Sequence, residues 1–179
     1  MKPSAIGKLL DFREILPSDA EFVLGLRTDP QLNQHLSPTR NDVEQQRAYL
    51  LRYTRCTDEY YFIIMDKAAI PVGTIRIYDI QGDSFCWGSW ILSPALKPPG
   101  AAIESAILLY DYAFYALHFS RSHFDVRKAN QRVIDFHLRL GASIVREDHE
   151  NYYFNYSLEQ YETVRNSYKP LILPQRSNH

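Results

Sequence analysis

The sequence predicts one α/β domain of the α+β type: a mixed, mostly antiparallel sheet with helices flanking it. Three observations carry that expectation. Three strand-like runs, 60–65 (YYFIIM), 72–80 (VGTIRIYDI) and 84–92 (SFCWGSWIL), follow one another across short turns, the pattern of an antiparallel meander. Residues 100–117 then carry apolar side chains at steps of three and four. A short strand follows that helix, and a strand–helix–strand connection makes the strands it joins parallel, with a right-handed crossover. At 179 residues, the chain is long enough for one core without disulfide or metal staples. The domain is expected over 1–168, with 169–179, which contains Pro170 and Pro174, as a tail.

Taken in order, residues 9–15 (LLDFREI) alternate as a first strand, and Leu16-Pro17-Ser18 stop it. Ser18 with Glu21 predicts a capping box, and Phe22, Val23 and Leu26 follow at helical spacing up to Asp29-Pro30. A second helix starts at Asn41, with Glu44 three residues on, and runs through Tyr49, Leu50 and Tyr53. The meander comes next. Residues 93–99 hold Pro94, Pro98 and Pro99, which cannot continue a strand. In the long helix, Ile103, Ala106, Ile107, Tyr110, Ala113, Phe114 and Leu117 make one stripe that Leu108, Leu109, Tyr112 and Tyr115 widen, so the helix should be largely buried. Residues 122–126 form a short strand. Asn130 caps a helix that Gly141 closes. Residues 142–146 and 152–156 read as a hairpin, and Ser157 with Gln160 offers a capping box for a last helix to about Tyr168.

Composition narrows the function. Twenty Lys and Arg against 21 Asp and Glu give a net charge of −1, which argues against a dedicated nucleic-acid binder, since neutralising phosphates needs a basic excess. The two cysteines, Cys56 and Cys86, sit in no CxxC or His-rich context, so a metal site is not expected and a reducing compartment is. No stretch has the length of a signal-peptide core or a membrane span. The expectation is a cytoplasmic protein, monomer or homodimer, that engages neither membrane nor nucleic acid. Proline (10) outnumbers glycine (7), an imbalance that gains a location below.

The chemistry should sit where a strand ends, a loop turns and the long helix begins. A helix N-terminus presents unpaired N–H groups and a positive dipole end to an anion. Lys97-Pro98-Pro99-Gly100-Ala101-Ala102 places a cation and small residues there; read plainly, the same stretch is a Pro-rich turn with a Gly start. The pattern Lys97-x-x-Gly100-x-Ala102 resembles the Q/R-x-x-G-x-G/A loop of the GNAT superfamily of N-acyltransferases. A second stretch, from Asn130 through Phe136-His137 to Gly141-Ala142, resembles that family's N-x-x-A/S-x-x-L/F-Y-x-K/R-x-G-F/A element. The likeness spans about residues 9–157 and points to the branch of ribosomal-protein N-terminal and amino-sugar-nucleotide acetyltransferases.

That resemblance implies a function: transfer of an acetyl group from the cosubstrate acetyl-CoA to a primary amine of a small acceptor, by direct attack. The acceptor it suggests is a nucleotide-linked amino sugar; a protein N-terminus and a CoA-binding module without activity are the alternatives. It implies that the strands 84–92 and 122–126 are parallel and splay apart around the pantetheine arm. Ile91, Leu92 and Ser93 would offer backbone partners to the arm, and Asn130 its amide, unless that amide simply caps the helix. Lys97, Gly100, Ala101, Ala102 and Ile103 would hold the pyrophosphate. Pro98 and Pro99 depart from a donor-rich cradle because they lack N–H groups, leaving Gly100 to Ile103 to carry the anion. His137 stands where relatives have a tyrosine that protonates the leaving thiolate; an imidazole can do this near neutrality, or it can merely pack beside Phe136. On the acceptor side fall Arg27, His35, Tyr78 and Trp87: the arginine for a phosphate or carboxylate, the aromatics for stacking. Asp79, Arg76 and Glu104 are candidates for the general base, and none is favoured.

Overall fold

A computed structural model describes residues 4–34 and 36–168. Among these, eight strands form one sheet: β1 (Ala5–Ile6), β2 (Leu10–Glu14), β3 (Tyr60–Asp66), β4 (Pro71–Gln81), β5 (Ser84–Leu92), β6 (Arg121–Arg127), β7 (Ser143–Glu147) and β8 (Asn151–Ser157). The helices are α1 (Ala20–Thr28), α2 (Val43–Tyr53), α3 (Ala101–Asp111), α4 (Gln131–Arg139) and α5 (Leu158–Tyr168). The sheet order is β1-β2-β3-β4-β5-β6-β8-β7. Every neighbour pair is antiparallel except β5–β6, the pair joined through α3. The predicted mixed sheet with one parallel pair is therefore the observed one. The expected tail over 169–179 lies outside the described residues.

Both faces of β3 are buried, which is why its sequence is a continuous apolar run rather than an alternation. Phe62 and Ile64 join the core under α3, α4 and α5, while Tyr61 and Ile63 pack with Val23, Leu50 and Tyr53 beneath α1 and α2. The two layers place α3 on one side of the sheet and the α1–α2 pair on the other. On the α3 side, Tyr161 Oη donates to Asp111 Oδ1 at 2.8 Å, and Arg165 Nε donates to the same oxygen at 2.6 Å, fastening α5 to α3.

Four local expectations change. The Ser18–Glu21 capping box is absent: Pro17–Asp19 form a 3-10 turn, and Asp19 is occupied by the Leu16 amide and by a bidentate pair with Arg13. The cap of α2 is Asp42, accepting from the Gln45 amide at 3.0 Å, one residue later than Asn41. The long helix is not α-helical throughout. It widens to a π turn over Tyr112–Ala116, and His118 ends it at φ +62. A two-residue strand, β1, precedes β2; it is too short for alternation to reveal it. The Ser157–Gln160 capping box is present in both directions, at 2.9 and 3.1 Å.

Candidate active site

The site is built around β5. On one side its ladder with β4 runs Ile77↔Trp87 and Arg76↔Gly88, then resumes at Thr74↔Ile91. Ser89 and Trp90 thus oppose the single residue Ile75, a β-bulge, with Ser89 at φ +47. Thr74 Oγ1 pins it by donating to the Ser89 carbonyl at 2.8 Å. On the other side β5 pairs with β6 only at Ser84↔Arg121 and Phe85↔Ser122. Beyond Phe85 the two parallel strands separate, and the β5 edge is open.

Alternation of the antiparallel ladder decides which backbone groups face that opening. Ser93 N donates to Val72 O at 2.8 Å, and Ser93 O accepts from Lys97 N at 3.0 Å. Ser93 therefore turns its amide to β4 and its carbonyl into the following turn, and Ile91, two residues back in the ladder, turns its backbone to β4. Of the three residues expected to pair with an extended ligand arm, only Leu92 turns its amide and carbonyl toward the gap. Ile91 and Ser93 are corrected on this ground.

Two clefts flank the bulge. The larger, about 1140 Å³, runs over the N-terminus of α3; Lys97, Gly100, Ala101, Ala102, Ile103, Leu92 and Asn130 all line it. Gly100 caps α3 in the left-handed region at φ +86, a conformation that favours glycine. Ala101 N bonds to Pro98 O and Glu104 N to Gly100 O, which leaves the Ala102 and Ile103 amides of the first turn facing outward. Pro98 and Pro99 line the same cleft without N–H groups. Asn130 takes the N-cap position of α4 but makes no side-chain cap bond. These residues fit an extended ligand that ends in a pyrophosphate: small side chains, open amides, one lysine.

The smaller cleft, about 600 Å³, lies on the α1–α2 side of the sheet. Arg27, Arg40, Arg52 and Arg76 line it, with Tyr49, Tyr61, Tyr78 and Ser89. Arg76 lies between Tyr61 and Tyr78, its guanidinium carbon 5.0 Å from the Tyr78 ring. Burial alone would lower the Arg76 pKa, but its ion pair with Glu59 more than offsets this, so its charge is held. Arg27 Nε donates to Thr39 Oγ1 at 2.8 Å and thereby ties the 36–40 loop to α1. Leu36 borders both clefts. At the bulge Ser89 lines the smaller cleft and Trp90 the larger, so the bulge borders both.

Two expected site residues lie elsewhere. His137 is 4% exposed and borders neither cleft. The Trp87, Phe124, Phe136 and Phe154 rings surround it, Nδ1 has no partner, and burial pulls its pKa down to about 3. It is a neutral core imidazole, and its expected role as proton donor is corrected. Trp87 faces α3, its Nε1 donating to Tyr110 Oη at 2.8 Å; it does not line the smaller cleft. His35 lies outside the described residues. Of the groups weighed as a base, Glu104 is buried and accepts the amides of Leu9 and Leu10, while Asp79 is exposed and bonded to Gln81 and His123. Cys86 is buried, which pushes its thiol up to about 11. Among the described residues no three His, Cys, Asp or Glu side chains are grouped to hold a metal ion.

Arg40, Arg52, Tyr49 and Ser89 carry no signal in the sequence that marks them for this cleft. The α2 residues show no motif, and a bulge leaves no mark in an aromatic-rich strand. Arg76 with Tyr78 was visible as a period-two pair on one face, which is where both stand.

A model of the acetyltransferase (GNAT) domain matches residues 10–143. No curated protein sequence matches the chain. Among solved structures, apo FdhC, described as a nucleotide-linked sugar GNAT, superposes with a TM-score of 0.87 at 36% identity, covering 94% of this chain and 98% of that one. A spermidine N-acetyltransferase SpeG variant from Vibrio cholerae reaches a TM-score of 0.73 at 15% identity, covering 86% and 96%. A GNAT-family acetyltransferase from Bacillus anthracis reaches 0.73 at 18%, covering 87% and 98%.

Proposed function

Because this chain belongs to the GNAT acetyltransferase family, we propose that it moves an acetyl group from acetyl-CoA to the primary amine of an anionic small acceptor, a nucleotide-linked amino sugar. The observation that carries this reading is the smaller cleft. Four arginines and three tyrosines line it. Guanidinium groups favour phosphate and carboxylate, often with two parallel hydrogen bonds, and tyrosines offer faces to a base or sugar. A polycation such as spermidine would meet like charge there. The kinship with FdhC, whose description names a nucleotide-linked sugar, supports the same class.

The larger cleft supports acetyl-CoA as the donor. Ala102 and Ile103 amides with Lys97 would receive the pyrophosphate, Leu92 would pair with the pantetheine arm across the β5–β6 gap, and Asn130 has an amide free to bond it. The arm then ends at the bulge, opposite the acceptor cleft, so amine and thioester meet without an acyl-enzyme. No helix among the described residues is long and apolar enough to cross a membrane, and two free thiols support action in a reducing cytoplasm.

The test is calorimetric titration with acetyl-CoA, followed by thiol release over a panel of UDP- and dTDP-linked amino sugars, amino acids, polyamines and N-terminal peptides. Binding of acetyl-CoA with turnover confined to the nucleotide sugars is expected. Turnover with peptides alone overturns the acceptor class, and no binding at millimolar acetyl-CoA overturns the donor.

A further inference from the structure

Acyl transfer requires a proton for the departing sulfur, and His137, enclosed by four rings, does not reach either cleft. We propose that Tyr78 is the proton donor: its hydroxyl, held over Gly88 at the narrow end of the β5–β6 splay, protonates the leaving thiolate. This rests on the acetyl-CoA reading above.

The position comes first. The ladder pairs Tyr78 with Cys86, yet its ring leans along the sheet toward the bulge. A Cβ built on Gly88 would stand 3.1 Å from Tyr78 Oη and 3.3 Å from Cε1. Glycine at 88 is what lets the phenol lie there, one residue before Ser89. The last β5–β6 pair is at Phe85, so the gap is narrowest beside Cys86–Gly88. An arm lying in that gap, its distal end over the α3 N-terminus, brings its sulfur to this end. Tyr78 also lines the acceptor cleft, so its hydroxyl stands where amine and thioester meet.

The surroundings suit a phenol that gives up a proton and regains it. The groups facing it are Arg76 on β4, Cys86 on β5 and Asp125 on β6. Burial raises the phenol pKa, and the thiol and the carboxylate raise it further, so the proton is in place across the neutral range. Arg76, 5.0 Å from the ring, opposes them and steadies the phenolate while it lasts. Tyr61, the other phenol on this floor, is 2% exposed and lies on β3, one strand further from the gap.

In the step, the neutral amine nitrogen attacks the thioester carbon. The C–N bond forms, the C–S bond breaks and its electron pair goes to sulfur. The Tyr78 proton passes to sulfur, giving the free thiol. The phenolate takes back, through water, the proton the nitrogen sheds. One proton has moved from nitrogen to sulfur, and the enzyme is unchanged.

The experiment compares wild type with Tyr78→Phe by thiol release, using UDP- and dTDP-linked amino sugars as acceptors. The expected result is a kcat about 100-fold lower, with KM for acetyl-CoA within about twofold. With phenyl thioacetate as donor, whose acidic thiol leaves unprotonated, the deficit should shrink at least about tenfold. Gly88→Ala, which displaces the hydroxyl and keeps the phenol, should show the same leaving-group signature. A kcat for Tyr78→Phe within about threefold of wild type, or an equal deficit with both donors, overturns the assignment. Wild type that binds no acetyl-CoA fails the parent reading instead, and this assignment with it.

Discussion

The imidazole of His137 lies 4.2 Å, centroid to centroid, from the ring of Phe124, and three further aromatic rings close the enclosure. A position at which the family resemblance implied a proton donor is here part of the packed core joining α4 to β5, β6 and β8.

That burial makes stability depend on acid. The folded-state pKa of His137 is lowered to about 3, whereas an unfolded histidine titrates near 6.5. Below about pH 6.5 the unfolded chain binds a proton that the folded chain refuses, so stability falls as pH drops toward 3. Between pH 7 and 5 this one group costs about 2 kcal/mol. His137→Phe should show that much less loss in urea titrations at the two pH values, and its kcat–pH profile should match wild type. An unchanged acid sensitivity would show that the imidazole is not buried as described.

Glu104 anchors the front of α3. Its Oε1 accepts the amides of Leu9 and Leu10 at 2.6 and 2.9 Å with the residue 1% exposed. Glu104→Ala strands one buried and one part-buried donor and should cost about 3 kcal/mol, or roughly 6–12 °C in Tm for a chain of this size. Glu104→Gln keeps an acceptor and should lose less than half of that. Calorimetry of the three proteins decides it.

Gly100 serves both fold and cofactor cleft. Alanine there meets only Leu9 Cδ1 at 3.4 Å, but it must hold φ +86, at a cost of about 1–2 kcal/mol. Relaxation of that strain moves the Ala102 and Ile103 amides. We expect Gly100→Ala to weaken acetyl-CoA binding about tenfold by titration calorimetry, a free-energy change of the same size, while the KM for the acceptor stays put.

If the cationic cleft takes the acceptor, as proposed, its arginines bear on one substrate and not the other. Arg52→Ala and Arg40→Ala should each raise the acceptor KM about tenfold, the loss of one charge-assisted contact, and leave acetyl-CoA KM unchanged. Raising salt should weaken acceptor binding in wild type more than in the double variant, since fewer exposed charges remain to be screened. Equal salt sensitivity would remove these arginines from recognition.

Much of this protein was legible in its sequence because local rules wrote it. The meander, the crossover helix, the Ser157–Gln160 box and the cleft from Lys97 to Ile103 all follow from periodicity, turn residues and helix-end chemistry within a few residues. Alternation also placed Arg76 and Tyr78 on one face. What only the tertiary structure decided is which face and edge each group meets. Trp87 and His137 carry site-like chemistry in the sequence, yet Trp87 packs beneath α3 and α4 turns His137 into the core against it, a consequence of packing between positions fifty residues apart. The bulge at Ser89 shifts the strand by one residue, sending Trp90 to the α3 side and leaving Gly88 beneath Tyr78. Arg52 of α2 and Arg40 of the loop before it join Arg76 only because α2 lies across the sheet. Side-chain direction is a local property; what stands in that direction is set by the whole chain.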